Sequence, residues 1–109
     1  MVLSPESQLT RRLKLQTKLE SILGSRSVYF QPPSNIKMNY PAIVYGLDNQ
    51  AAEHAGNSPY MLTDRYQISV LDADPDSVIP RKVAKLPQTS FVRAFKQNDL
   101  NHTIYVLYF

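Results

Sequence analysis

Leu9, Leu13, Leu19, Ile22 and Leu23 recur at helical spacing, with Leu15 at the edge of the stripe and Gln16 interrupting it. The pattern predicts an amphipathic helix over residues 5–23, lying across a sheet. Ser4 suits its N-cap, and Pro5 takes a first-turn position where a missing N–H costs nothing. Glu6 matches the positive helix end, and Gly24 supplies a left-handed stop. Beyond Gly24 the pattern turns extended. Val28, Tyr29, Phe30 and Gln31 read as a short strand that Pro32 and Pro33 end. A second β-prone run covers residues 40–45, with Pro41 tolerable at its start.

Residues 47–59 carry Asp48, Asn49, Gly56, Asn57, Ser58 and Pro59 around Glu53 and His54. They read as a long loop or as the tip of an extended hairpin, the kind of segment that binds something or moves. The strand expected over residues 60–71 alternates in its second half. Tyr66, Ile68 and Val70 share one face; Arg65, Gln67 and Ser69 share the other, which is wet or meets a polar partner. The turn from Asp72 to Ser77 feeds a shorter helix, starting no earlier than Ser77 because Pro80 belongs in a first turn. Asp74 or Asp76 is its expected N-cap, Val78 or Ile79, Val83 and Leu86 its buried stripe, and Pro87 its end. Two strands, over 90–96 and 103–109, close the chain around a turn at residues 97–102. The last alternates Ile104, Val106 and Tyr108 against Tyr105, Leu107 and Phe109. With both faces apolar, it is a central strand or one whose second face meets another chain. The order α-β-β-β-α-β-β, without βαβ alternation, predicts an α+β domain: a mostly antiparallel sheet packed with two helices.

A chain of 109 residues, 43% hydrophobic, is enough for one domain with its own core. It contains no cysteine, which removes disulfides, thiolate-bound metal and a cysteine nucleophile. The polar start predicts no signal peptide, and no apolar run reaches the ~20 residues a membrane helix needs. The expectation is a soluble protein that stays where it is made. Twelve basic and nine acidic residues leave a net charge of +3, and Arg11, Arg12, Lys14 and Lys18 all fall in the first helix. Such a run normally marks a solvated helix face; a nucleic-acid domain concentrates charge further and interleaves aromatics.

Catalytic chemistry finds little support. The three glycines stand singly, so no phosphate-cradling loop is present. His54 and His102 sit in polar stretches read as turns, without a second histidine or paired carboxylate at ligand spacing. Asp72, Asp74 and Asp76 open like a calcium loop, but Ser77 and Val83 stand where that loop requires glycine and glutamate. No serine lies in a G-x-S-x-G turn. Seven tyrosines and four phenylalanines fall mostly in strands, where packing accounts for them. No catalytic site, metal or cofactor is expected, and the domain is read as an assembly component and not as an enzyme.

A series of short motifs adds positive content. Val28-Tyr29-Phe30-Gln31-Pro32-Pro33 is followed by Met38-Asn39-Tyr40-Pro41-Ala42-Ile43-Val44-Tyr45 and Arg65-Tyr66-Gln67-Ile68-Ser69-Val70. Then come Asp74-Pro75-Asp76-Ser77, Leu86-Pro87, Asn98-Asp99-Leu100-Asn101-His102 and the closing Leu107-Tyr108-Phe109. In this order, from about residue 11 to 109, the chain resembles the tail-terminator and tail-completion (neck) proteins of long-tailed bacteriophages. The resemblance implies an α+β protomer forming a homo-hexameric ring at the head–tail junction of the virion, assembled in the host cytoplasm. Such a ring caps the tube of major tail protein, stops its polymerisation and meets the head-side connector or stopper protein. DNA would cross its lumen without specific binding, and no membrane is involved. Tyr40, Pro41, Tyr66, Asp74, Pro75, Asp76, Asn98, Asn101, His102 and Tyr108 carry the motif pattern.

For partner contacts, the candidates are Asp48, Asn49, Glu53, His54 and Asn57 in the long segment and Tyr105, Leu107 and Phe109 in the last strand. Ring contacts between identical chains commonly use strand edges and projecting loops. The alternatives are a head-closure or connector protein (stopper or adaptor) of the same neck, or a DNA-binding module built on the basic first helix.

Overall fold

The computed structural model describes residues 7–56 and 58–109, with the backbone alone for 7–8, 51–55 and 58–62. Seven elements follow the expected order: α1 (Ser7–Leu23), β1 (Val28–Phe30), β2 (Ala42–Ala55), β3 (Ser58–Asp72), α2 (Ile79–Ala84), β4 (Thr89–Gln97) and β5 (Leu100–Tyr108). The proposed cap at Ser4, Pro5 and Glu6 lies outside the described residues. The five strands form one sheet in the order β1-β2-β3-β5-β4. Only the short β1–β2 pair is parallel; the others are antiparallel. The fold is α+β, a mostly antiparallel sheet carrying two helices.

The core lies between the helices and one sheet face. Tyr45, Tyr66, Ile68, Val70, Tyr105 and Leu107 meet Leu15, Leu19, Ile79 and Val83 there. The buried side of α1 differs from the expected stripe. Leu15 and Leu19 are fully buried, whereas Leu9 and Leu13 are 55% and 49% exposed. At about 100° per residue Leu13 points roughly 160° away from Leu15, so both cannot face the sheet. Gln16 does not interrupt the inner face but belongs to it. Its Nε2 donates to the Val28 carbonyl at 3.0 Å, and its Oε1 accepts from the Tyr45 hydroxyl at 2.5 Å. Arg12 also turns inward, with its guanidinium 4.4 Å from the Phe30 ring centroid and Nη1 donating to the Tyr45 hydroxyl. A buried phenol needs such partners, because leaving it unpaired forfeits its hydration without return.

Gly24 ends α1 at φ +80°, its N–H donating to the Glu20 carbonyl as expected for a left-handed stop. The second helix is shorter than expected, and Asp74 and Asp76 do not cap it: Val78 takes the N-cap position, and the Ile79 N–H donates to Ser77 Oγ at 3.3 Å. The aspartates brace the preceding turn instead. Asp72 Oδ1 accepts from the Asp74 N–H and Asp74 Oδ1 from the Asp76 N–H, local bonds that compete with helix. The turn before β5 is also tighter than residues 97–102. Gln97 already pairs with Leu100, and Asn98 and Asp99 both adopt positive φ, as a two-residue hairpin turn requires. His102 is therefore a strand residue, stacked on Phe95 at 4.7 Å.

The long segment after residue 46 belongs to the hairpin of β2 and β3. Of the two readings of the segment beginning at Leu47, the hairpin is the one realised. The strands pair from Ala42↔Leu71 out to Ala55↔Ser58, and Gly56 takes φ +69° in the turn. Neighbouring strands support only the inner half: β1 pairs with Ile43, Val44 and Tyr45, and β5 with β3 from Arg65 to Asp72. Residues 49–64 therefore project as a two-stranded arm, about 25 Å long at ~3.3 Å per residue. The molecule measures 50 × 24 × 23 Å, and its radius of gyration of 15.3 Å exceeds the ~13 Å of a compact domain this size.

Candidate assembly surfaces

The base of the arm is anchored by side chains that the strand alternation puts opposite each other. Gln50 Nε2 donates to Asp64 Oδ1 at 2.7 Å, and the Asp64 carbonyl accepts from the Phe109 N–H at 3.0 Å. On the outer side Arg65 Nε donates to Asp48 Oδ1 at 2.8 Å, an ion pair across the hairpin. Gln31 closes the edge where β1 stops. Its N–H reaches the Tyr45 carbonyl and its Oε1 accepts from the Leu47 N–H. Gly46 makes room for this, since a Cβ there would stand 3.0 Å from Gln31 Cγ. Beyond Leu47 the outer edge of β2 meets no further strand among the described residues.

The candidate contacts separate accordingly. Asp48 and Asn49 lie exposed where the arm leaves the sheet. Glu53 and His54 belong to paired backbone near the arm's end, so His54 is not a turn residue, and Asn57 lies outside the described residues. Tyr105 and Leu107 are corrections: at 5% and 1% exposure they belong to the core. Their strand, β5, has both edges taken by β3 and β4, so it is interior and offers no edge to another chain. Phe109 is half-buried against the same core, with Lys18 Nζ 5.5 Å from its ring centroid.

Most motif positions have local structural work. Tyr66 is core, and Tyr40 and Pro41 lead into β2 through a cis peptide. Asn98 shapes the β4–β5 turn, and Asn101 Nδ2 donates to the Asp72 and Ala73 carbonyls. Tyr108 ends β5 opposite Arg65.

A second surface had no counterpart in the sequence reading. Strand β4 forms one edge of the sheet, and nearly all of its residues are exposed. Phe91 and Val92 are 61% and 49% exposed, Val92 at a bulge opposite the Tyr105–Ile104 step. Arg93 lies 4.8 Å from the Phe95 ring centroid on the face away from the helices. The signal was present in the charges: between Ser77 and Asn98 stand Arg81, Lys82, Lys85, Arg93 and Lys96, with no acidic residue.

Burial raises the pKa of three tyrosines above the ordinary phenol value. For Tyr45 burial dominates, with the Arg12 hydrogen bond and charge opposing it. For Tyr66 burial leads and the Asp64 carboxylate adds to it; for Tyr105 burial is opposed by Arg81. All three sit in the core and not in a cleft where a substrate could reach them. A cleft of about 240 Å³ between Leu15, Leu86, Leu107 and Phe109 falls below the size of a usual ligand pocket. Two larger hollows of about 480 and 570 Å³, beside Gln31 and Asp48 and along the outer face of α1, are shallow and open. Among the described residues no three His, Asp or Glu side chains gather as metal ligands, and no helix is long and apolar enough to cross a membrane. The four basic residues of α1 do not form one solvated patch, because Arg12 is turned onto Phe30 and Tyr45.

Compared with known proteins, the chain matches no family model and no curated protein at a significant level.

Proposed function

We propose that this chain is a virion structural protein and not a catalyst: a tail terminator of a long-tailed bacteriophage. In this reading copies form a ring, hexameric as in the family it resembles, at the head-proximal end of the tail tube. The ring stops addition of major tail protein and joins the tube to the head-side connector, while DNA passes through a lumen that does not hold it. The observation that carries the reading is the two-stranded arm. An isolated two-stranded hairpin is marginal in water, so an arm of this length is best explained by a partner that completes it. The series of motifs running from Val28 to Phe109 supports the same reading.

The test is assembly. Sedimentation and negative-stain electron microscopy of the purified chain should give closed rings, and the protein added to polymerising tail tubes should cap one end and halt growth. A chain that stays monomeric at high concentration and ignores tubes contradicts the proposal. Rings that bind the head-side connector but not the tube would move the protein to the adjoining layer of the neck.

A further inference from the structure

Charge is segregated along this chain in a way the fold makes spatial. From Met38 to Asp64 there is no lysine or arginine, only Asp48, Glu53 and Asp64; this stretch holds the whole arm. From Ser77 to Asn98 there are five basic residues and no acid; this stretch is α2 and β4, at the far edge of the sheet. Asp48 is paired with Arg65 at the arm's base, and Asp64 is buried beside Gln50. The arm beyond them carries one acid, Glu53, and no lysine or arginine, whereas β4 is basic. Among the described residues no strand fills the outer edge of either. We infer that the outer edge of the β2 half of the arm, from Asp48 onward, pairs with β4 of a second copy, extending the sheet from one protomer to the next.

Strand direction fits this pairing. Sheet neighbours from β2 to β4 alternate in direction, so β4 runs opposite to β2. A neighbour related by rotation, without inversion, presents its β2 antiparallel to β4. The short β1 and the Gln31 side chain block the same edge from Ile43 to Leu47, and beyond it no strand among the described residues covers the arm. Because Leu47 stands level with Tyr66, Leu107 and Thr89, the arm begins where β4 begins. The neighbour must therefore be displaced along the strands, an offset that strands tilted to a ring axis provide, as in closed barrels.

The charges select among pairings. Arg93 and Lys96 on β4 disfavour two β4 strands meeting edge to edge, since like charges across a ladder repel. The arm, without lysine or arginine, meets no such penalty. The two surfaces differ, so the contact is heterologous: repeated by rotation it closes into a ring, and unclosed it makes a filament. The inference rests on the ring proposed above and specifies its interface.

The chain has no cysteine, which makes covalent trapping clean. Ala94 is exposed on β4, and a cysteine there should meet one on the arm at the few-ångström Cα spacing a disulfide requires. Under mild oxidation, chains carrying Ala94→Cys together with Ala51→Cys or Ala52→Cys should give a ladder of covalent oligomers ending at the ring number. Each single-cysteine chain should give dimers at most. In parallel, Arg93→Glu with Lys96→Glu should raise the concentration for half-assembly by at least about tenfold, and Glu53→Lys added to that pair should recover much of the loss. Wild-type rings with no ladder, or with assembly indifferent to the charge reversal, overturn the arm–β4 contact and leave the ring intact. A wild-type chain that never assembles overturns the ring itself.

Discussion

Tyr45 gathers the interactions that hold α1 to the sheet. Its ring lies between Phe30 and Tyr66, at centroid distances of 5.0 and 6.0 Å, and its hydroxyl bonds Gln16 and Arg12. Burial raises its pKa and those of Tyr66 and Tyr105, so the folded state holds the neutral phenol more tightly than the unfolded chain does. The sign of the linkage follows. The contribution is fully present below the unfolded phenol value of about 10, and is lost as pH rises through the higher folded values. Ultraviolet titration should show these three phenols ionising only above the ordinary phenol value, as urea midpoints fall. All three titrating at the ordinary value, with the protein still folded, would contradict the buried hydroxyls.

For α1 the question is which face carries the stability. Leu19 is fully buried among core side chains, and truncating such a residue leaves a cavity as well as losing transfer energy. Leu19→Ala should cost about 2–5 kcal/mol in urea unfolding. Leu13→Ala, on a side chain that is half in water, should stay within about 0.5 kcal/mol. Equal losses at the two positions would mean that the helix docks on the face first expected from the sequence. The exposed Leu9 and Leu13 are scattered surface apolar residues, of a kind most folded proteins carry.

At the scale of the whole molecule, the arm and the sheet are separable. Among the residues whose side chains are described, the core cluster contains none between Asn49 and Asp64, so folding should not depend on the arm. Replacing residues 49–64 by Asn-Gly, which suits a two-residue turn, joins Asp48 to Arg65 across their existing ion pair. The shortened chain should unfold cooperatively, within a few degrees of the parent by circular dichroism, and should sediment only as monomer. Assembly that survives the deletion would remove the arm from the ring interface and, with it, the main support for the proposed function.

How far the chain could be read depended on the range of the interactions involved. Helix and strand types, the stop at Gly24, the α+β class and the element order were legible in the sequence because they follow from local periodicity and punctuation. Local signals were insufficient where several partners compete for one segment. Small polar residues from Asp48 to Pro59 admitted both a loop and a hairpin tip, and only the pairing of the two strands, which periodicity within one strand cannot reveal, chose the hairpin. Gln16 read as an interruption because its partners, Val28 and Tyr45, are distant in sequence. Of the readings that the apolar faces of β5 admitted, the sheet order bears out the central strand by placing it between β3 and β4. The sequence by itself determined the elements and the uneven distribution of charge, both properties of position along the chain. Only the tertiary structure decided which strand edges and helix faces remain uncovered, because an edge is free or filled according to what the rest of the chain brings beside it.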